Sequence, residues 1–273
     1  ALQKRYAMGA SRANLPAWQF GEELPEAGGF TPPPSMPLEG AGLAVLRRGQ
    51  GEEAVCAMLE YGEHGGGHGH PDKLQLITYG LGRQICPDLG TTGYANALHR
   101  KYYKTTPGHN TVTIGGRNMV GRSGRLLAFE SNDKYATAVA QADQVYEGYV
   151  LTRRVLLADG FLVDEFVIEG DKPDVIDWFV RSDGRAALSV PTHPLEEAPI
   201  APPYAYLKNL QGGDTEDDWS AVWILGDREQ PQEALRFVLT MKGEAGTQAA
   251  RADAPGPARR GVLWDTVRVR RKT

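Results

Sequence analysis

Hydrophobic and polar residues alternate along most of this chain in short runs, and turn residues separate one run from the next. A period of two is typical of half-buried β-strands, whereas an amphipathic helix repeats about every 3.6 residues. Because the runs follow one another without intervening helical patterns, we expect an all-β fold, a large antiparallel β-sandwich. The predicted strands cover residues 43–48, 54–62, 73–80, 110–116, 125–131, 135–142, 149–159, 161–170, 175–182, 219–226, 233–241 and 262–271.

The first forty residues follow a different pattern. Residues 1–15 are compatible with a short helix that Pro16 ends, and the proline- and glycine-rich segment that follows excludes a long helix. We therefore expect residues 1–40 to be a linker, with the tail of a preceding helical domain at its start, and residues 41–273 to be the antiparallel β-sandwich domain.

Turn residues divide the predicted β domain further. Asp159 and Gly160 join two alternating runs and predict a tight hairpin turn. Residues 196–218 and 242–260 are rich in proline, glycine and charge, and they are predicted to be long surface loops.

Charge and composition exclude several classes of protein. The formal net charge is −4 and no long basic run is present, which argues against a nucleic-acid partner. No run approaches the roughly 20 apolar residues of a membrane span. Cys56 and Cys86 lie in apolar runs and are expected to be buried free thiols rather than a disulfide. The N-terminus lacks a signal-peptide core and does not define the compartment, although a periplasmic or secreted bacterial location is favoured over the cytoplasm.

Histidines are concentrated in one part of the chain. The stretch HGGGHGH, residues 64–70, contains three histidines and four glycines, and two more histidines follow before residue 110. Imidazole is the commonest metal ligand and transfers protons near neutral pH. If the stretch is extended, His68 and His70 point to the same side, and the glycines let the backbone approach a ligand closely.

A metal site at these histidines would also need carboxylates, and the residues alone leave two interpretations open. Asp88 precedes a Gly-Thr-Thr-Gly turn and His109 begins a predicted strand, so both are candidate ligands. Asp72 is equally well explained as a turn residue that hydrogen-bonds its own backbone. The alternative is an ordinary glycine-rich loop, with an aspartate that satisfies backbone amides and a histidine on the surface.

Three separated elements resemble the signature of the heparinase II/III-like polysaccharide lyases, and the likeness is clear over residues 38–182. The first is HGGGHGHPDKLQLITYGLGRQICPDLGTTGY (64–94) and the second is TTPGHNTVTIGG (105–116). The third is RRVLLADGFLVDEFVIEG (153–170), followed by DWFVRSDG (177–184). The resemblance implies a C-terminal β-sandwich domain that follows an α/α-toroid, with the active cleft between the two. The toroid, which would be missing from this chain, supplies residues that neutralise the substrate carboxylate and a tyrosine.

The resemblance also implies roles for individual residues. His70, Asp88 and His109 would bind a zinc ion that is mainly structural. His68 would face the substrate as a catalytic residue, together with a tyrosine of the following loop. Tyr94 is preferred for that tyrosine over Tyr102 and Tyr103, for which plain packing against the sheet is the alternative. The expected substrate-binding residues are His64, Arg100 and Tyr103.

The implied function is cleavage of a uronic-acid-containing polysaccharide by β-elimination, with an anionic polysaccharide or oligosaccharide as the partner. Heparin or heparan sulfate, hyaluronan or chondroitin, and alginate are the candidate substrates. Basic residues near the motif loops suit a polyanion, and the chain alone would lack half of the active site. A non-catalytic carbohydrate-binding or structural β-sandwich with a metal-stabilised loop is the alternative. A cupin-like oxygenase is disfavoured, because no glutamate follows His70 at the required spacing.

Overall fold

The computed structural model describes residues 32–80, 82–196, 199–225, 235–257 and 263–272. The chain divides into two compact units, Ala1–Pro34 and Ser35–Thr273, and nearly everything described belongs to the second. The helix predicted over residues 1–15 lies outside the described residues. The second unit begins at Ser35, ahead of the predicted domain start at residue 41, because a short strand at Met36–Leu38 already pairs with the next one.

The described residues are folded mainly as β-strands. Their helices are single short turns, and none is long and apolar enough to cross a membrane. The 3-10 helices are Glu39–Ala41, Gly51–Glu53, Gly66–His68, Thr106–Gly108 and Pro202–Tyr206, and a π-helix covers His99–Tyr103. The strands are β1 (Met36–Leu38), β2 (Leu43–Arg48), β3 (Val55–Glu60), β4 (Leu76–Gly80), β5 (Arg83–Cys86), β6 (Val112–Ile114), β7 (Arg125–Ser131), β8 (Tyr135–Ala142), β9 (Tyr149–Ala158), β10 (Phe161–Gly170), β11 (Val175–Ser182), β12 (Arg185–Leu188), β13 (His193–Pro194), β14 (Lys208–Thr215), β15 (Trp219–Leu225), β16 (Leu235–Met241), β17 (Thr247–Pro255) and β18 (Leu263–Lys272).

The strands pair in antiparallel fashion, which confirms the all-β antiparallel class. One large two-sheet sandwich is not confirmed, because the described strands form four sheets. Their orders are β1-β2-β3-β4-β5, β10-β9-β8-β7, β13-β14-β17-β18-β11-β6 and β12-β15-β16.

The apolar side chains explain why the strands form several sheets. One core joins the first and second sheets, where Leu46 and Leu59 pack in the same cluster as Ala138 and Leu151. A second core surrounds the fully buried Trp223 and joins the third and fourth sheets. Each sheet therefore buries one apolar face against a neighbouring sheet, as the two-residue alternation requires.

The hairpin predicted at Asp159 and Gly160 is present. Ala158 pairs with Phe161, so these two residues form the turn between β9 and β10. Gly160 has a φ of 84°, a left-handed conformation that glycine adopts without strain. The prediction that Cys56 and Cys86 are buried free thiols is also confirmed. Burial raises the pKa of the Cys86 thiol to about 12, which keeps it protonated and unreactive.

The two long loops predicted at 196–218 and 242–260 are wrong in part, because they contain β14 and β17. β17 lies between β14 and β18 and buries four alanines, a residue type with little preference for strands. Gly212 of β14 faces this strand so closely that a Cβ atom there would lie 2.4 Å from the Ala249 carbonyl oxygen. Small residues that suggested a loop are therefore what lets these strands pair closely.

Candidate active site and metal centre

The stretch at residues 64–70 is a compact loop rather than a strand. Gly65 and Gly66 have positive φ angles, and a short 3-10 helix ends at His68. A Cβ atom on Gly69 would overlap the carbonyl of His64, so the loop closes on itself only with glycine at that position. The expectation that His68 and His70 point to one side required an extended backbone. The structure instead directs them to two different neighbours.

His70 lies against His109 from the start of the HNTV segment. The Nδ1 atom of His70 is 3.0 Å from the Nε2 atom of His109, and the rings are in an edge-to-face arrangement. The Nδ1 atom of His109 donates to the Thr105 carbonyl at 2.8 Å. This hydrogen bond assigns the ring proton to Nδ1 and leaves Nε2 free to bind a metal, an arrangement common among metal-ligating histidines.

Two carboxylates lie close to His109. The Nε2 atom of His109 is 3.6 Å from Oδ2 of Asp88 and 3.8 Å from Oδ2 of Asp72. The ligand atoms of His70, Asp72 and His109 all lie within 4.8 Å of one another. The structure thus places His70 and His109 in one compact group with Asp72, which the sequence left open between a ligand and a turn residue, whereas Asp88 approaches this group at His109. The position of Asp72 two residues after His70 was the available signal.

Charged and hydrogen-bonding neighbours surround both carboxylates. Burial raises the pKa of Asp88, but the charge of His109 and hydrogen bonds from Gln75 and the Gly90 amide outweigh it and lower the pKa below the ordinary value. Asp72 accepts a hydrogen bond from the buried Lys73, which also donates to Glu60 at 2.8 Å. A buried ammonium thereby compensates part of the negative charge.

The donor set fits a zinc ion. Bonds of about 2.0–2.2 Å in a tetrahedral site separate the ligand atoms by roughly 3.3 Å. His109 Nε2 lies 3.0 Å from His70, 3.6 Å from Asp88 and 3.8 Å from Asp72, and the ligand atoms of His70, Asp72 and His109 all lie within 4.8 Å of one another. Burial first, and then the charge of His109, lower the pKa of His70, so the neutral ring that a metal requires is favoured. Two neutral imidazoles and two carboxylates would balance one divalent cation.

His68 lies beside Tyr94 on the surface. The Tyr94 hydroxyl is 2.9 Å from Nδ1 of His68, and the Tyr94 side chain is 67% exposed. Both predicted catalytic residues are therefore accessible to a large substrate and within hydrogen-bonding distance of each other. Lys104 donates to the carbonyl of Gly67 at 2.6 Å and ties the loop to the π-helix.

The three predicted substrate-binding residues occupy different environments. Arg100 is exposed on the π-helix, where a polyanion can reach it. His64 is half-buried, and its ring packs on Gly121. Tyr103, the third predicted substrate-binding residue, is buried and donates its hydroxyl to the Gly256 carbonyl at 3.0 Å, so it is not exposed on the described surface. Plain packing, the alternative role given to this tyrosine from the sequence, agrees with its position, because its ring belongs to a small core with Leu89 and Trp264.

A buried arginine connects the cluster to the second sheet, and the sequence reasoning missed it. Arg153 of β9 is 1% exposed and forms two hydrogen bonds to the carboxylate of Asp164. It also donates to the carbonyls of Leu74 and Asn110, which follow Asp72 and His109 in the chain. The two segments that carry the cluster are therefore attached to the same guanidinium.

The fold and the site define an antiparallel β domain with a histidine–carboxylate cluster next to an exposed histidine–tyrosine pair. Residues 31–253 match the family described as heparinase II/III-like, C-terminal. The chain therefore belongs to this family, and the resemblance noted in the sequence is confirmed.

Two named relatives are lyases. An exo-oligoalginate lyase of Saccharophagus degradans is 26% identical over 159 residues, which is 50% of this chain and 22% of that protein. A heparin-sulfate lyase of Pedobacter heparinus is 28% identical over 103 residues, 36% of this chain and 16% of that protein. The chain thus spans about a fifth of the length of the relatives that it matches.

Solved structures agree on the fold. A mutant of the heparan sulfate lyase HepC from Pedobacter heparinus superposes with a TM-score of 0.63 at 16% identity, covering 91% of this chain and 35% of that one. A heparinase III gene product gives the same TM-score, identity and coverage. At this level of identity the likeness concerns the fold alone.

Proposed function

We propose that this chain is the C-terminal β domain of a polysaccharide lyase that cleaves uronic-acid-containing polysaccharides by β-elimination. The observation that carries the proposal is the exposed His68–Tyr94 pair next to the histidine–carboxylate cluster, in a family whose named relatives are lyases. In this proposal an α/α-toroid domain precedes the β domain, and the active cleft lies between the two. Heparan sulfate or heparin, hyaluronan or chondroitin, and alginate are the substrates to be distinguished.

The chemistry needs a base, an acid and neutralisation of the uronate carboxylate. A base removes the C5 proton, the electron pair forms the C4–C5 double bond, the C4–oxygen bond breaks, and the leaving oxygen takes up a proton. His68 and Tyr94 are 2.9 Å apart, so the base and the acid can exchange the proton directly. Donors from the toroid would stabilise the charge that develops on the carboxylate.

Positive charge near the pair supports a polyanionic substrate. Arg100 and Lys101 are both exposed on the π-helix that follows Tyr94. An exposed cation raises the local concentration of an anionic chain and contributes to orientation, an effect that salt weakens. The net charge of the whole chain is negative, so the attraction depends on these local residues.

The lyase proposal is tested by product formation. The chain joined to its toroid domain is incubated separately with each candidate polymer, and the absorbance of the unsaturated uronate is followed. We expect a rise on at least one polymer. Binding of a polymer without any rise would favour the non-catalytic alternative and contradict the lyase.

We further propose that His70, His109, Asp88 and Asp72 hold one zinc ion, whose main role is to join the 64–70 loop to the HNTV segment. The bound ion would also supply Lewis acidity at the edge of the cleft. The separations around His109 Nε2 and the neutral charge balance support this assignment.

Metal removal is expected to destabilise the domain. An ion present at about 100 times its dissociation constant contributes about 2.7 kcal/mol, so chelation should lower the melting temperature measurably. Metal analysis should find about one zinc per chain, and His109→Ala should remove both the zinc and the effect of the chelator. The control is His193→Ala, which changes an exposed histidine on β13. It should keep the bound zinc and the loss of stability on chelation. Purified protein without a bound ion would contradict the assignment.

A further inference from the structure

His99 is a buried histidine next to the candidate site, and neither the metal cluster nor the proposed chemistry uses it. His99 is the first residue of the π-helix and is 4% exposed. Its Nδ1 atom lies 2.7 Å from the hydroxyl oxygen of Thr91. The Thr91 hydroxyl also donates to the Thr92 carbonyl at 3.3 Å, which leaves its oxygen free to accept a hydrogen bond from the imidazole.

The ring of His99 supports the ring of Tyr94. The two ring centres are 5.0 Å apart and the planes are nearly perpendicular, at 88°, which is a favourable edge-to-face arrangement. On its other side Tyr94 contacts only the exposed His68 through its hydroxyl, among the ring contacts and hydrogen bonds of the described residues. An exposed tyrosine that lies in no helix or strand has many rotamers available, so its orientation depends on these two contacts.

The backbone around Tyr94 gives it little additional support. The loop is held by two turns, in which Asn96 donates to the Gly93 carbonyl and His99 donates to the Asn96 carbonyl. Both turns fix where His99 lies relative to the loop rather than where the phenol points. The Thr91–His99 contact therefore joins the beginning of the loop to its end, and the same imidazole contacts the Tyr94 ring.

We propose that Thr91 and His99 are positioning residues, which hold the Tyr94 phenol at hydrogen-bonding distance from His68 for proton transfer. The catalytic part of this inference rests on the proposed lyase function. The Thr91 hydroxyl orients the buried imidazole, the imidazole supports the phenol, and the phenol reaches His68. Neither residue touches the substrate.

The test compares Thr91→Val with Thr91→Ser. Thr91 is exposed, so both variants should fold, and valine removes only the hydroxyl whereas serine keeps it. In the lyase joined to its toroid, we expect Thr91→Val to lower kcat about 2- to 10-fold, the range for one lost hydrogen bond, with KM unchanged and Thr91→Ser close to wild type. Equal activity of the valine variant and wild type, or an equal loss in both variants, would overturn the role of the hydroxyl.

A second readout does not depend on lyase activity. In this chain alone, the imidazole nitrogen resonances report the hydrogen bond between Tyr94 and His68. We expect the Nδ1 resonance of His68 in Thr91→Val to move towards its position in Tyr94→Phe, while Thr91→Ser leaves it unmoved. An unmoved resonance in Thr91→Val would refute the positioning role even if no polymer were cleaved. A moved resonance in an inactive protein would refute the lyase proposal and leave the positioning intact.

Discussion

Replacing Tyr94 with phenylalanine is expected to lower kcat on the preferred polyuronate by ~10²–10⁴-fold, the usual contribution of a general acid or base. The phenylalanine keeps the ring contact with His99 and loses only the hydroxyl that lies 2.9 Å from His68. Stability should change little, because the side chain is largely exposed. The measurement is the initial rate of unsaturated product formation with the toroid domain present.

Tyr79→Phe is the matched control for this experiment. Tyr79 lies on β4 and is 39% exposed, and it has no part in the His68–Tyr94 pair. Its variant should retain the wild-type rate. If Tyr94→Phe also retained the wild-type rate, Tyr94 would be neither the general acid nor the general base.

Replacing Arg153 with methionine is expected to destabilise the domain by ~3–5 kcal/mol. The change removes both hydrogen bonds to Asp164 and leaves that carboxylate unpaired at 14% side-chain exposure. It also leaves the carbonyls of Leu74 and Asn110 without their shared donor. The free energy of unfolding is measured by chemical denaturation of the variant and the wild type at the same zinc concentration.

Arg154→Met provides the comparison on the same strand. Arg154 pairs with Glu165 at 2.9 Å, but the two side chains are 55% and 53% exposed. An exposed pair contributes about 0–1 kcal/mol, so this variant should remain close to wild type. Equal losses for the two arginine variants would refute the claim that Arg153 holds the site segments together.

The fold could be predicted where residues alternate strictly. β8 buries every second residue, and β2, β7, β8, β10 and β11 have the bounds that the pattern predicts. β14 and β17 could not be found in this way, because glycine and alanine pack there against neighbouring strands and resemble a loop by composition. The division into four sheets depends on which strands share a core, and the pattern of single strands does not contain that information.

The candidate site was predictable to the extent that short-range motifs define it. The family pattern predicts His70, Asp88 and His109 as ligands, and the structure places His70 3.0 Å and Asp88 3.6 Å from the Nε2 atom of His109. The sequence left Asp72 undecided, because the same residue type also stabilises turns. Tyr103 was assigned to substrate although its hydroxyl bonds Gly256, a partner more than 150 residues away in the chain. Arg153 carried no signal, since an arginine in a strand is usually exposed.

The central claim is that the 64–70 loop and the HNTV segment are joined by one metal ion. Anomalous diffraction from zinc-bound crystals of this chain tests it most directly, because the signal locates the ion independently of activity. We predict a single strong peak about 2.0–2.2 Å from His70 Nδ1, His109 Nε2 and the carboxylate oxygens of Asp72 and Asp88. Crystals grown with zinc that showed no peak between His70 and His109 would contradict the account.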